Sequence, residues 1–196
     1  MVDETAEALL AAWARGDAKA GRALFERHAG ELADFLARKL DDGIDDLVHH
    51  AFAACLERTR AGTAIANVRA YLFQCARNGL VDRLGARARF DPATASLQDA
   101  GTSPSQACAR DQQRRLLLVA LRMLPLDDQI ALELHYWHEL PVEQIGDALG
   151  VPRSTALSRL HRARAKLRAL LPTIPASAPE LERSLASLAR PLPEGM

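Results

Sequence analysis

Apolar residues recur three and four positions apart along most of the chain, and glycine- or proline-bearing points interrupt the recurrence. Such a pattern predicts a succession of amphipathic helices. Helices are expected over residues 5–15 and 17–28, separated by Gly16, with a further segment over 31–40 after Gly30. Leu24, Phe25, Leu32, Phe35 and Leu36 fall on the inward positions of this region. The run Asp41-Asp42-Gly43 marks a sharp break before a helix over 44–60, in which Leu47, Val48, Ala51, Phe52, Cys55 and Leu56 keep helical spacing. A turn containing glycine and threonine follows, and Asn67 is placed to cap a long helix running from 68 to about 89. Periodicity then fades through Asp91-Pro92, Gly101 and Ser103-Pro104-Ser105, the composition of a flexible linker.

The second half carries the sharpest local grammar. Pro141 suits a first helical position, and Val142, Ile145 and Leu149 give a short helix one apolar face. Gly150 stops that helix, because glycine accepts the left-handed conformation of a helix C-terminus. Pro152 precedes a new helix, for which Ser154 or Thr155 offers a capping hydroxyl. Ala156, Leu160, Ala163, Leu167 and Leu170 form its expected buried stripe. Arg159, Arg162 and Lys166 line another face beside Ser158, flanked by His161, Arg164 and Arg168. Two short helices joined by a tight turn, the second of them basic, read as a DNA-binding helix-turn-helix. Arginine fits that task because its planar fork binds a guanine edge or a phosphate through two hydrogen bonds.

Composition widens this into an all-α, two-domain reading. The chain has 196 residues, 48% of them hydrophobic and only 5% aromatic, enough for two small helical cores. The expected organisation is an N-terminal helix over 1–14, a helical domain over 15–90, a linker over 91–110, a helix-turn-helix domain over 111–171 and a tail over 172–196. The tail holds five of the ten prolines; it reads as a disordered extension, with a helix packed back on the body or a docking segment as alternatives. No run of about 18 apolar residues exists, so no membrane insertion is expected. The acidic start Met1-Val2-Asp3-Glu4 lacks a signal peptide's basic region, which argues for the cytoplasm.

A net charge of zero argues against a nucleic-acid partner until its distribution is considered. Acids outnumber bases over 1–50; over 68–89 only Asp82 opposes Arg69, Arg77, Arg83, Arg87 and Arg89; over 151–171 there is no acid. A chain divided in this way presents acidic surface to protein and basic surface to DNA.

Candidate chemistry is sparse. Cys55, Cys75 and Cys108 are too widely spaced for a CxxC metal site or a disulfide framework, and the first two read as small core residues. Cys108, in the linker, keeps a redox role open. His49 and His50 point roughly 100 degrees apart on a helix, so they do not ligate one ion unaided. No paired acids, phosphate loop or nucleophile motif appears, so neither a catalytic residue nor a cofactor nor a metal is expected.

Leu124-Pro125, the apolar stretch from Ile130 to Trp137, Glu143-Gln144-Ile145, Leu149-Gly150 and Ser158-Arg159-Leu160-His161-Arg162-Ala163-Arg164 resemble region 4 of the sigma-70 family, in its extracytoplasmic-function group. The resemblance implies contact with the promoter −35 element, through Arg153, Ser154, Thr155, Ser158, Arg159, His161, Arg162 and Lys166, and with the flap of RNA polymerase. In the first half, Asp45-Asp46-Leu47-Val48, Phe52, Tyr71-Leu72, Ala76-Arg77-Asn78 and Asp82 are similar to region 2 of the same family. That similarity implies docking of Asp45, Asp46, Leu47 and Val48 on the polymerase clamp. It also implies −10 binding through Arg69, Tyr71, Arg77, Asn78 and Arg83, with residues 58–66 as a base-reading loop. Stacking on an aromatic ring and arginine contacts to phosphate are the usual means of holding an opened strand. Core RNA polymerase, promoter DNA and an anti-sigma factor are the implied partners.

Four positions depart from the family pattern: His49-His50 follow the Asp-Leu-Val motif in place of glutamine and an acid, Tyr71 stands where tryptophan is common, Gly79 falls in mid-helix, and Leu157 replaces a basic residue. Leu157 either meets a thymine methyl or packs in its own domain. Two other function classes remain open on the residues alone: a stand-alone helix-turn-helix regulator, and a degenerate sigma paralogue that acts as a protein-binding regulator.

Overall fold

The computed structural model describes residues 5–90, 112–174 and 185–186, and every regular element among them is helical. The chain forms two compact units, Met1–Gly85 and Ala86–Met196. The predicted linker, Cys108 and nearly all of the tail lie outside the described residues.

The first unit is built from α1 (Ala6–Ala14), α2 (Ala18–Ala37), α3 (Ile44–Arg60) and α4 (Val68–Phe90), the last of which runs past the unit boundary. Polar side chains set the helix starts. The Thr5 hydroxyl accepts from the Ala8 amide, the Asp17 carboxylate from the Lys19 and Ala20 amides, and the Asn67 carbonyl oxygen from the Ala70 amide at 2.8 Å. Helix α1 packs against α2 and α3, so the predicted N-terminal helix is part of this unit's core, with Leu9 and Leu10 buried. Trp13 lies flat on Gly21, where a Cβ would stand 2.6 Å from the indole ring. Phe35 and Phe73 meet edge-on at 5.5 Å, and Phe25 and Phe52 meet at a tilt at 4.9 Å, which joins α2 to α4 and to α3.

The expected interruption at Gly30 is absent, since α2 runs unbroken through it. A mid-helix glycine costs about 1 kcal/mol relative to alanine, and the buried Leu24, His28, Leu32 and Phe35 on either side outweigh that local preference. Gly79 has a packing reason. A Cβ there would come within 2.7 Å of a Leu47 methyl, so the glycine lets Leu47 of α3 close onto α4.

The second unit contains α5 (Gln112–Arg122), α6 (Leu126–Tyr136), α7 (Val142–Leu149), α8 (Arg153–Leu170) and a 3-10 turn at Leu171–Thr173. Helix α6 is buried at every position from Asp128 to His135, and α7 and α8 pack against it and against each other. Gly150 ends α7 with φ +67°, as its position predicts. Gly146 sets the tightness of the turn. Its carbonyl accepts from the Val151 amide at 2.9 Å, and a Cβ on it would stand 2.8 Å from the Val151 carbonyl oxygen.

Three local expectations for this unit need correction. No side chain caps α8: Pro152 occupies the cap position, Ser154 and Thr155 fall within the first turn, and the Ser158 hydroxyl bonds back to the Thr155 carbonyl. Pro141 is likewise the cap residue of α7 rather than its first helical residue. Leu170 is half-buried, and Leu157, 7% exposed, joins Ala156, Leu160, Ala163 and Leu167 in the core, with Leu171 completing it. Leu157 therefore packs within its own domain.

Candidate nucleic-acid interface

Helix α8 concentrates the chain's cations. Its sequence holds Arg153, Arg159, Arg162, Arg164, Lys166 and Arg168 and no acid. The buried stripe fixes the roll of the helix, which leaves Ser154, Ser158, His161, Arg162 and Lys166 exposed and Thr155 half-buried. Counter-charges come from other helices. Arg153 pairs with Glu143 of α7, Arg159 with Asp127 at 2.6 Å, and Lys166 with Asp128 at 2.8 Å. Arg153 holds the Glu143 carboxyl below the usual carboxylate range by its hydrogen bond. Arg162 and His161 have no carboxylate partner among the described residues.

Of the predicted contacts, α8 thus brings Ser154, Ser158, His161 and Arg162 to solvent, together with Arg153 and Lys166 in their ion pairs, while Arg159 is a half-buried tie to α6, its side chain 21% exposed. Sequence reasoning missed Asp127 and Asp128. Their one visible signal is position, two and three residues after Pro125 in the first turn of a helix, where carboxylates favour the dipole.

In the first unit, the five predicted −10 residues do not share one face. With 3.6 residues per turn, Arg69 and Arg83 fall within roughly 40 degrees of each other around α4, and Tyr71 and Asn78 lie on the opposite side. Arg69 forks onto Glu31 of α2, with nitrogen to oxygen distances of 3.1, 3.0 and 2.7 Å, and Arg83 reaches Asp42 at 2.9 Å. Glu31 also meets His28 Nδ1 at 2.6 Å. Burial pushes the Glu31 carboxyl upward, but hydrogen bonds from His28 and Arg69 outweigh it and leave the group below its ordinary value. On the other side, the Arg58 guanidinium lies over the Tyr71 ring, 5.1 Å from its centre. Burial raises both the Tyr71 phenol and the neighbouring Cys75 thiol. Arg77 donates to Asn78 at 3.1 Å. Arg58, expected at the start of a loop, sits in the last turn of α3.

The predicted polymerase-docking residues divide by burial. Asp45 and Asp46 are exposed in the first turn of α3, Leu47 rests against Gly79, and Val48 faces the core at 3% exposure. Both aspartates line a concavity of about 560 Å³ together with Asp34, Asp41 and Asp42, so this end of the unit is strongly acidic. His49 and His50 are both exposed, and the His49 ring stacks on Phe25 with ring centres 5.5 Å apart. Cys55 is buried and Cys75 half-buried, as core packing predicts. No group of three or more His, Cys, Asp or Glu side chains is arranged to hold a metal ion among the described residues, and no described helix is long and apolar enough to cross a membrane.

Residues 114–167 match the family described as sigma-70, region 4. The chain is 34% identical over 156 residues to RNA polymerase sigma factor CarQ of Myxococcus xanthus, covering 76% of this chain and 87% of that protein. A stretch of that length cannot fit within residues 111–196, so the similarity reaches into the first unit. An RNA polymerase sigma-E factor of Streptomyces antibioticus is 33% identical over 114 residues, 58% of this chain and 62% of that protein. Among solved structures, the sigma factor RpoE of Bartonella quintana, crystallised with the anti-sigma factor NepR, shares the fold with a TM-score of 0.60 at 22% identity. That likeness covers 79% of this chain and 98% of that one.

Proposed function

The chain belongs to the RNA polymerase sigma factors, in the extracytoplasmic-function group of the sigma-70 family, and from that membership we propose how its two units share the work of starting transcription. A sigma factor supplies core RNA polymerase with promoter recognition, and this chain acts in that step. In our reading the second unit lays α8 in the major groove of the −35 element. Arg162, His161, Ser158 and Ser154 reach bases and phosphates there, with Thr155 and Arg153 at the helix start. The observation that carries this is the acid-free α8, held at a fixed roll behind a glycine-built turn and within the residues that match region 4. The same unit docks on the polymerase flap.

The first unit takes the −10 element and the clamp. Tyr71, backed by Arg58 and on the same side of α4 as Asn78, to which Arg77 donates, offers a stacking surface with donors for an opened strand. Exposed Asp45 and Asp46, at an acidic end, suit a basic protein partner. An anti-sigma factor is a further partner in this reading, by analogy with the neighbour crystallised with one. The work consists of binding closed and opened DNA differently, which needs no catalytic group, and it takes place in the cytoplasm.

The test is in vitro transcription with bacterial core RNA polymerase and this protein on a genomic fragment library, with start sites compared against core alone. Discrete new starts sharing upstream −35 and −10 elements are expected. Core binding without new starts would instead mark a degenerate paralogue. Strong binding to a palindromic site as a dimer, with no core binding, would mark a stand-alone regulator.

A further inference from the structure

We propose that Asp127 and Asp128 act as internal counter-charges that hold Arg159 and Lys166 back from DNA phosphates, so that α8 binds duplex by sequence rather than by charge alone. The inference rests on the reading of α8 as the DNA-binding helix. Arg159 and Lys166 are seven residues apart, about two turns, and so lie on one stripe of α8. Two adjacent acids from the first turn of α6 meet them at 2.6 and 2.8 Å. Arg162 lies off that stripe, rotated roughly 60 degrees from Arg159, and is exposed. One helix therefore carries cations answered within the protein beside a cation left for a ligand.

The two pairs differ in how firmly they hold. The Arg159 and Asp127 side chains are 21% and 36% exposed, and Arg159 Nη1 is cut off from solvent and meets Asp127 as an ion pair without a well-aligned hydrogen bond, so this cation is the less accessible of the two. The Lys166 side chain is 52% exposed while that of Asp128 is 13% exposed, so Lys166 can reach a phosphate without unpacking the helices once the Asp128 charge is removed. A cation already paired in the free protein adds little on meeting a phosphate, because the gain of the new contact is offset by the loss of the old one.

Binding of the full chain to a random-sequence duplex, measured across about 50 to 200 mM salt, tests this. Asp128→Asn is expected to steepen the dependence of log affinity on log salt by about 0.9, the increment of one freed cation, and to tighten binding by about 1.5- to 5-fold. Asp147→Asn, at an exposed acid of α7, removes the same charge without releasing a cation and is expected to leave the slope unchanged. In a Lys166→Gln background, Asp128→Asn is expected to add nothing. Should Asp128→Asn fail to fold, Asp128→Ser with Lys166→Gln gives the same cycle. An Asp147→Asn effect equal to that of Asp128→Asn, or an increment that survives Lys166→Gln, overturns the proposal. The DNA reading is judged separately, by −35-dependent initiation on Arg162→Ala in holoenzyme. If that initiation is lost while the salt slopes do not move, the counter-charge idea alone is discarded.

Discussion

Helices α4 and α8 both carry arginines through a stretch nearly free of acids, yet they dispose of that charge differently. On α8 the apolar stripe lies to one side and the cations to the others, so burial itself sorts what faces solvent. On α4 the described arginines are spread around the helix, and Arg69 and Arg83, which share a face, are both tied to acids of their own unit, whereas α8 keeps Arg162 exposed beside its own tied Arg153, Arg159 and Lys166. Basic sequence is thus a better guide to a DNA-facing surface where the hydrophobic pattern is one-sided. Where the buried arc is broad, as on α4, where Val68, Ala70, Leu72, Phe73, Ala76, Leu80 and Leu84 span roughly 200 degrees, an arginine inside that arc serves as readily to close the domain.

The largest effect that would break the comparison lies in the turn of the second unit. Gly146→Ala is expected to cost about 1–3 kcal/mol, because the new methyl meets backbone that cannot move without opening the turn. Calorimetry of the full chain would show the loss, and −35-dependent transcription would fall with it. Next in size is the stacking surface of α4. Tyr71→Ala is expected to reduce open-complex formation about 5- to 100-fold, while Tyr71→Phe stays near wild type, as permanganate footprinting of the melted strand would read. If both variants match wild type, the opposite face of α4, with Arg69 and Arg83, becomes the better candidate.

A smaller effect distinguishes the tied arginines. Since the folded Glu31 carboxyl sits below its ordinary value, its contribution is present above an unfolded pKa of about 4.3 and is lost as pH falls through the folded value. Glu31→Gln is therefore expected to lower stability near neutrality, and its deficit against wild type should shrink in acid; denaturant melts across pH 3–7, an approximate window, would show a constant deficit if the Arg69 fork is unimportant. The smallest effect belongs to Glu143→Gln, whose exposed pair with Arg153 should leave the melting temperature unchanged.

Much of the fold was legible because it depends on short-range rules. Asn67 caps α4, Gly43 takes the left-handed conformation just before α3, and Gly150 closes α7, each through its own side chain or its lack of one. Gly30 misled because a glycine's local cost is small beside the burial of its neighbours. The cap of α8 misled because Pro152 takes the cap position, which leaves the hydroxyls of Ser154 and Thr155 inside the helix. In the candidate interface the α8 pattern was readable from spacing alone. The partners of its cations were not, because Asp127 and Asp128 lie more than 30 residues away from them in sequence. Glu31 with Arg69 and Arg58 with Tyr71 are hidden for the same reason.

The central claim is that promoter reading and polymerase docking are carried by different residues, and Arg162→Ala in reconstituted holoenzyme tests it most directly. Core affinity and −35-dependent transcription would be measured on the same preparation. The account predicts core binding within twofold of wild type and a fall in transcription of about 5- to 100-fold, the cost of one lost base or phosphate contact. An equal loss of both activities would contradict it.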